Sequence, residues 1–193
     1  MRPGETYHIF NHANGNENLF AEEKNYAFFL SKLATHILPV CDIYAYCLMP
    51  NHFHLMVKIK EENELCLLWK KEFSITELEI KVSKSFSNLF SSYAQSFNKV
   101  YKRIGSLFIP SMKKELINDD DYFLKIVHYI HANPVHHGFR LRMEDWKHSS
   151  YKIFLSTAPT KLKRDFVLNE FNGIDQFILY HQQPIDLKIN TLE

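Results

Sequence analysis

His52 and His54 stand two residues apart in the run HFHLMVKIK. In a strand, residues two apart point to the same face. The two imidazoles then project together, while Phe53, Leu55, Val57 and Ile59 form a continuous apolar face on the other side. Side-by-side imidazoles can ligate one metal ion. They can equally be two histidines sharing a half-exposed strand face, and the spacing alone does not separate these readings. A second candidate is Tyr129, which lies on one helical stripe with Tyr122, Ile126 and Asn133 at steps of three and four. It is either a core aromatic or a nucleophile. A phenol with a pKa of about 10 attacks a phosphodiester poorly on its own. A nearby divalent cation makes the attack feasible by polarising the phosphoryl oxygen.

Other polar groups surround these two. His128, His131, His136 and His137 cluster about Tyr129. They could form a rival metal site, meet phosphate or move protons, and surface positions are expected for them. Residues 81–114 carry seven basic side chains (Lys81, Lys84, Lys99, Lys102, Arg103, Lys113, Lys114) and no acidic ones. Phe86, Phe90, Tyr93, Phe97, Tyr101 and Phe108 are interleaved. The aromatics read best as a buried stripe, and the cations as a nucleic-acid contact. That local excess stands out against a net charge of only +1.

The elements that must position these groups follow from periodicity. Residues 6–11 (TYHIFN) read as a strand, and apolar spacing from 22 to 36 reads as a helix stopped by Pro39. Residues 42–49 and 52–60 read as strands joined by Pro50-Asn51, a pair suited to the centre of a tight turn, hence an antiparallel hairpin. Residues 61–64 (EENE) read as a solvated loop. A helical pattern, in one or two pieces, covers 75–103 with Gly105 as its stop; residues 112–117 suit a short strand. Asn118 to Asp121 then supply a cap and acidic first turn for a helix ending near Asn133-Pro134. The order β-α-β-β-α-β-α predicts an α+β fold with a mostly antiparallel sheet and helices packed on one face.

Bulk properties set the frame. A length of 193 residues fits one domain with a tail, and 46% hydrophobic with 23% charged residues fits a folded globular chain. Three cysteines (Cys41, Cys47, Cys66) without a CxxC pair argue against a disulfide framework or a cysteine zinc site and suit a reducing cytoplasm. No run approaches a membrane span, and the first residues lack the apolar core of a signal peptide.

The runs MPNHFHLMV, YIHANPVHHGF and WKHSSY, in that order, resemble the single-tyrosine HUH transposases, and among these the REP-associated tyrosine transposases. The resemblance covers about residues 7–151. It implies a ferredoxin-like catalytic domain over residues 1–155, with 156–193 a tail of unknown role. It implies metal-dependent cleavage and rejoining of single-stranded DNA near a hairpin through a 5′-phosphotyrosine and a free 3′-hydroxyl. The family's metal histidines map to His52 and His54, its nucleophile to Tyr129, and a third ligand to Asn133. The metal implied is Mg²⁺ or Mn²⁺, where imidazoles alone would suggest zinc or a later transition metal. DNA contacts are expected at Lys99, Lys102, Arg103, Lys113 and Lys114. A homodimer is a further expectation, since related transposases form dimers in which the tyrosine helix acts in trans, although some REP-associated members are monomeric. A domesticated protein that binds DNA hairpins without cutting them is the alternative. Two stretches depart from the family's pattern. Asn11-His12-Ala13 replaces an Asn-Arg-Gly run, and Ile109-Pro110-Ser111-Met112 replaces a Gln-Gly-Arg-Phe run.

Overall fold

The computed structural model describes residues 1–184. Strand β1 (Thr6–His12) leads to helix α1 (Glu23–His36), then to strands β2 (Cys41–Leu48) and β3 (His52–Ile59). Helices α2 (Glu62–Trp69) and α3 (Ile75–Tyr101), strand β4 (Lys113–Ile117) and helix α4 (Asp120–His136) follow. Three short helices, α5 (Tyr151–Phe154), α6 (Arg164–Glu170) and α7 (Ile174–His181), complete the described chain. The sheet order is β2-β3-β1-β4 and every pairing is antiparallel. With β-α-β-β-α-β connectivity, this is the expected α+β, ferredoxin-like arrangement.

Strand alternation builds two cores. Phe53, Leu55, Val57 and Ile59 of β3 face α1 and α3, against Phe29, Leu33, Val82, Phe86 and Tyr93. Helix α3 is one piece of 27 residues, because Leu78, Val82, Phe86, Leu89, Tyr93 and Phe97 keep a single buried stripe along it. Ser74 caps its start reciprocally with Glu77. Its stop is the left-handed Lys102 rather than Gly105.

The opposite face of the sheet is covered too. Ala45, Cys47 and Met56 meet Ile126, Val127 and Ile130 of α4, and this second core extends to Phe154, Val167, Phe171 and Phe177. Helices therefore lie on both faces, not one: α1 and α3 form the expected layer, and α4 with α5–α7 forms another. The physical reason is the apolar residues that alternation turns to the second face, which need cover from water. Residues 156–184 pack against α4 as part of this core.

Two other expectations are corrected. The solvated loop at 61–64 opens α2, where Glu61 and Glu64 form a capping box and Leu65 and Cys66 are buried. Helix α4 runs through Pro134 to His136, two residues past the expected end near Asn133-Pro134. The hairpin is as expected: Leu48 faces Phe53, and the Met49 amide donates to the His52 carbonyl at 2.8 Å. Beyond the hairpin, the outer edge of β2 is occupied. The Leu48 amide donates to His148, the Ser150 amide to Tyr46, and the Lys163 amide to Ile43.

Candidate active site

Register places the groups. Across β1 and β3, His12 lies opposite His52, Phe10 opposite His54, and His8 opposite Met56. Opposed residues share a face, so the side chains of His8, Phe10, His12, His52 and His54 all point to the α4 side. Helix α4 crosses this surface with its Tyr122–Ile126–Tyr129–Asn133 stripe turned inward. Tyr122 donates to Glu115 of β4 at 2.6 Å. The Tyr129 ring meets His54 edge-on at 5.4 Å and His8 at 6.0 Å between centroids. Asn133 Oδ1 lies 2.8 Å from His52 Nε2. The structure thus brings His52, His54, Tyr129 and Asn133 together within one chain.

The donor set suits a divalent ion. His52 Nδ1 is 2.8 Å from Asn51 Oδ1. If Nδ1 donates there, neutral His52 keeps its lone pair on Nε2. That lone pair then faces the Asn133 carbonyl oxygen at 2.8 Å. Two electron donors at this distance repel without a proton or cation between them. The spacing is close to the roughly 3 Å between adjacent ligands of an octahedral ion with bonds of about 2.1 Å. Asn133 Nδ2 is buried without a hydrogen-bond partner among the described residues. Among the described residues no group of three or more His, Cys, Asp or Glu side chains is arranged to hold a metal. A metal held by the two imidazoles would need a further donor of another kind, and the Asn133 amide oxygen stands beside His52.

The site is enclosed. His54 is fully buried, His52 is 3% exposed and Tyr129 1%. Sequence reasoning missed His8, whose Nε2 lies 3.0 Å from His54 Nδ1. It also missed Glu115, whose Oε2 is 3.9 Å from His8 Nδ1. The adjacent His8 imidazole, and then the Tyr122 hydroxyl, hold the Glu115 carboxyl below its usual range. A signal was present: His8, Phe10 and His12 alternate on β1 as His52 and His54 do on β3. His12 stacks on His52 at 4.8 Å between centroids, and His137 approaches it at 5.0 Å.

The other histidines near Tyr129 divide. His136 and His137 are at the surface as expected. His128 and His131 are buried, because they project from the opposite side of α4 into the layer formed by α5–α7. His131 Nδ1 lies 2.9 Å from His181 Nε2, and its Nε2 lies 2.7 Å from Ser150 Oγ. Burial drives the His131 pKa well below the ordinary value, and pushes His128 to about 4 and His181 to about 3.

The expected DNA-contacting residues are also split. Lys113 pairs with Phe10 on the site face, its ammonium 5.5 Å from the ring centre. Lys114, opposite Ile9, turns to the α3 face. Lys99, Lys102 and Arg103 sit at the C-terminal end of α3, in the other helical layer. There Arg103 is bound by Asn98 and by an ion pair with Glu17. No helix among the described residues is long and apolar enough to cross a membrane.

Comparison with known proteins agrees with the resemblance read from the motifs. No family model matches the chain. A Haemophilus influenzae protein assigned as a REP-associated tyrosine transposase is 27% identical over 110 residues, 55% of this chain and 57% of that protein. The match therefore spans little more than half the length of that relative. A solved structure of a REP-associated tyrosine transposase bound to a REP hairpin superposes with a TM-score of 0.54 at 16% identity, covering 82% of this chain and 84% of that one. At that identity the superposition speaks for the fold.

Proposed function

We propose that this chain is a transposase-like enzyme that nicks and rejoins single-stranded DNA beside hairpins, with Tyr129 as nucleophile. The observation that carries the reading is the convergence of Tyr129 on His54 and of Asn133 on His52 from one helix. The fold likeness to a hairpin-bound transposase supports the substrate class. His52, His54 and Asn133 would hold Mg²⁺ or Mn²⁺, and the bound ion would supply charge stabilisation at the phosphoryl oxygens.

In the chemical step the Tyr129 Oη attacks phosphorus. A P–Oη bond forms and the P–O3′ bond breaks. The phenolic proton ends on the departing oxygen as a 3′-hydroxyl, so no external energy source is consumed. The phosphotyrosine conserves the bond for the reverse attack by a 3′-hydroxyl. Packing against His54 and His8 fixes the phenol's direction. Because Tyr129 is 1% exposed, its surroundings must shift before DNA reaches the hydroxyl. Lys113 is the expected basic contact on this face.

The test is incubation with hairpin-flanked single-stranded oligonucleotides and Mg²⁺ or Mn²⁺, read as a covalent protein–DNA band on a denaturing gel. The band is expected for the natural chain and absent for Tyr129→Phe. An equal band from Tyr129→Phe rules out this nucleophile. A second reading, hairpin binding without cleavage, is favoured by the burial of Tyr129. Salt-dependent binding with no adduct under any metal would select it.

A further inference from the structure

Beside His54, three polar groups make a chain that leads away from the proposed metal site. His54 Nδ1 is 3.0 Å from His8 Nε2. His8 Nδ1 is 3.9 Å from Glu115 Oε2. Glu115 Oε1 accepts from the Tyr122 hydroxyl at 2.6 Å. His8 is fully buried and its ring is held between neighbours, stacked on Phe10 at 4.9 Å and on His54 at 5.2 Å.

The protons in this chain follow from its acidic end. An ionised carboxylate only accepts. A part-exposed carboxyl such as that of Glu115 is ionised at neutral pH. At 3.9 Å it acts through its field rather than a short hydrogen bond, and that field favours the proton of neutral His8 on Nδ1. His8 Nε2 then carries the lone pair and accepts at 3.0 Å from His54 Nδ1. With its proton on Nδ1, His54 keeps its own lone pair on Nε2. A metal ligand needs that lone pair, and ligating histidines generally have their second nitrogen engaged in this way.

We infer that His8 is a positioning residue that locks His54 in the Nδ1–H tautomer, with Glu115 orienting His8 in turn. The inference rests on the proposed metal role of His54. Its structural half, the tautomer, is a property of the metal-free protein. The arrangement is a carboxylate–histidine–histidine relay with Tyr122 anchoring the carboxylate. It ties β1, β4 and the first turns of α4 to the ligand strand β3.

The experiment uses the full chain labelled with ¹⁵N-histidine. Long-range ¹H–¹⁵N spectra of metal-free protein near pH 7.5 report the His54 tautomer, and titration with Mn²⁺ reports affinity. The natural chain is expected to show His54 protonated at Nδ1. His8→Gln retains an acceptor oxygen and should keep the tautomer and the affinity within a few-fold. His8→Leu should release the tautomer and weaken Mn²⁺ binding by about tenfold to a hundredfold. Thermal melts report whether each variant is folded. Should His8→Leu fail to fold, Glu115→Gln, which removes the orienting charge at a part-exposed position, is expected to give a mixture of tautomers.

His54 protonated at Nε2 in the natural chain overturns the inference. So does unchanged Mn²⁺ affinity in folded His8→Leu, provided His52→Ala abolishes binding. If the tautomer is as expected but the natural chain binds no Mn²⁺, the metal reading fails and takes the role of His8 with it, while the hydrogen bond stands.

Discussion

Phe177→Ala asks whether residues 156–184 fold as part of the same cooperative unit as the sheet. Phe177 is fully buried in the second core. Its ring lies 4.0 Å from that of His181, 5.1 Å from Phe154, 5.1 Å from Phe171 and 5.8 Å from Tyr151. Truncating a buried phenylalanine costs about 3–5 kcal/mol, the transfer cost plus a cavity that its neighbours only partly close. That is a large part of the roughly 5–15 kcal/mol that holds a domain folded. In a chain of this length each kcal/mol moves the midpoint by about 2–4 °C, so the expected fall is roughly 6–20 °C in one transition. Leu179 on the same helix is 54% exposed, and Leu179→Ala should stay within about 0.5 kcal/mol of the natural chain. Calorimetry and far-ultraviolet circular dichroism measure both. Two separate transitions, or a Phe177→Ala chain that melts with Leu179→Ala, would refute the claim that the α4 face and the C-terminal helices share a core.

Acid should destabilise the protein through its buried histidines. Burial lowers His128 to about 4 and His181 to about 3, below the roughly 6.5 of an unfolded chain. The unfolded state therefore takes up protons first, and stability is full above about pH 6.5 and declines as pH falls toward 4. For His128 alone the loss is on the order of 2 kcal/mol by pH 5. Urea melts at pH 7.5 and 5 check this; equal midpoints would sink it, and His128→Phe should flatten the dependence. Lys113→Ala should weaken binding to single-stranded DNA and reduce the slope of log affinity against log salt by about one unit. An unchanged slope means that Lys113 touches no phosphate.

Local pattern was enough for the elements that flank the hairpin. The alternation in β1, the tight turn at Pro50-Asn51 and the single stripe along α3 each depend on neighbours close in sequence. The shared face of His52 and His54 was legible for the same reason, and so was the stripe bearing Tyr129 and Asn133. What lay outside local pattern was burial by distant partners. His131 looks like a surface residue until His181, fifty positions away, and Ser150, nineteen away, supply its hydrogen bonds. The second core was hidden similarly, because Phe171 and Phe177 belong to short helices whose apolar sides make sense only against α4. His8 was readable as a residue of the right face, but its bond to His54 needed the β1–β3 register. The three α3 cations, Lys99, Lys102 and Arg103, were grouped by sequence with Lys113. A charge run crossing a helix end and a loop does not specify which side of a sheet each member meets.

The match between α4 and β3 is a match of two different rulers. From His54 back to His52 a strand advances about 6.7 Å, two steps of roughly 3.3–3.4 Å. From Tyr129 on to Asn133 a helix advances about 6 Å, four steps of 1.5 Å, and turns slightly more than once around. The two elements run in opposite senses, so Tyr129 meets His54 where Asn133 meets His52. Inserting one residue between Tyr129 and Asn133 would swing the amide about 100° off the sheet while leaving the phenol in place. A longer chain between α5 and α6 would disturb neither. Length variation is therefore tolerable in the connections and intolerable over those four residues of helix.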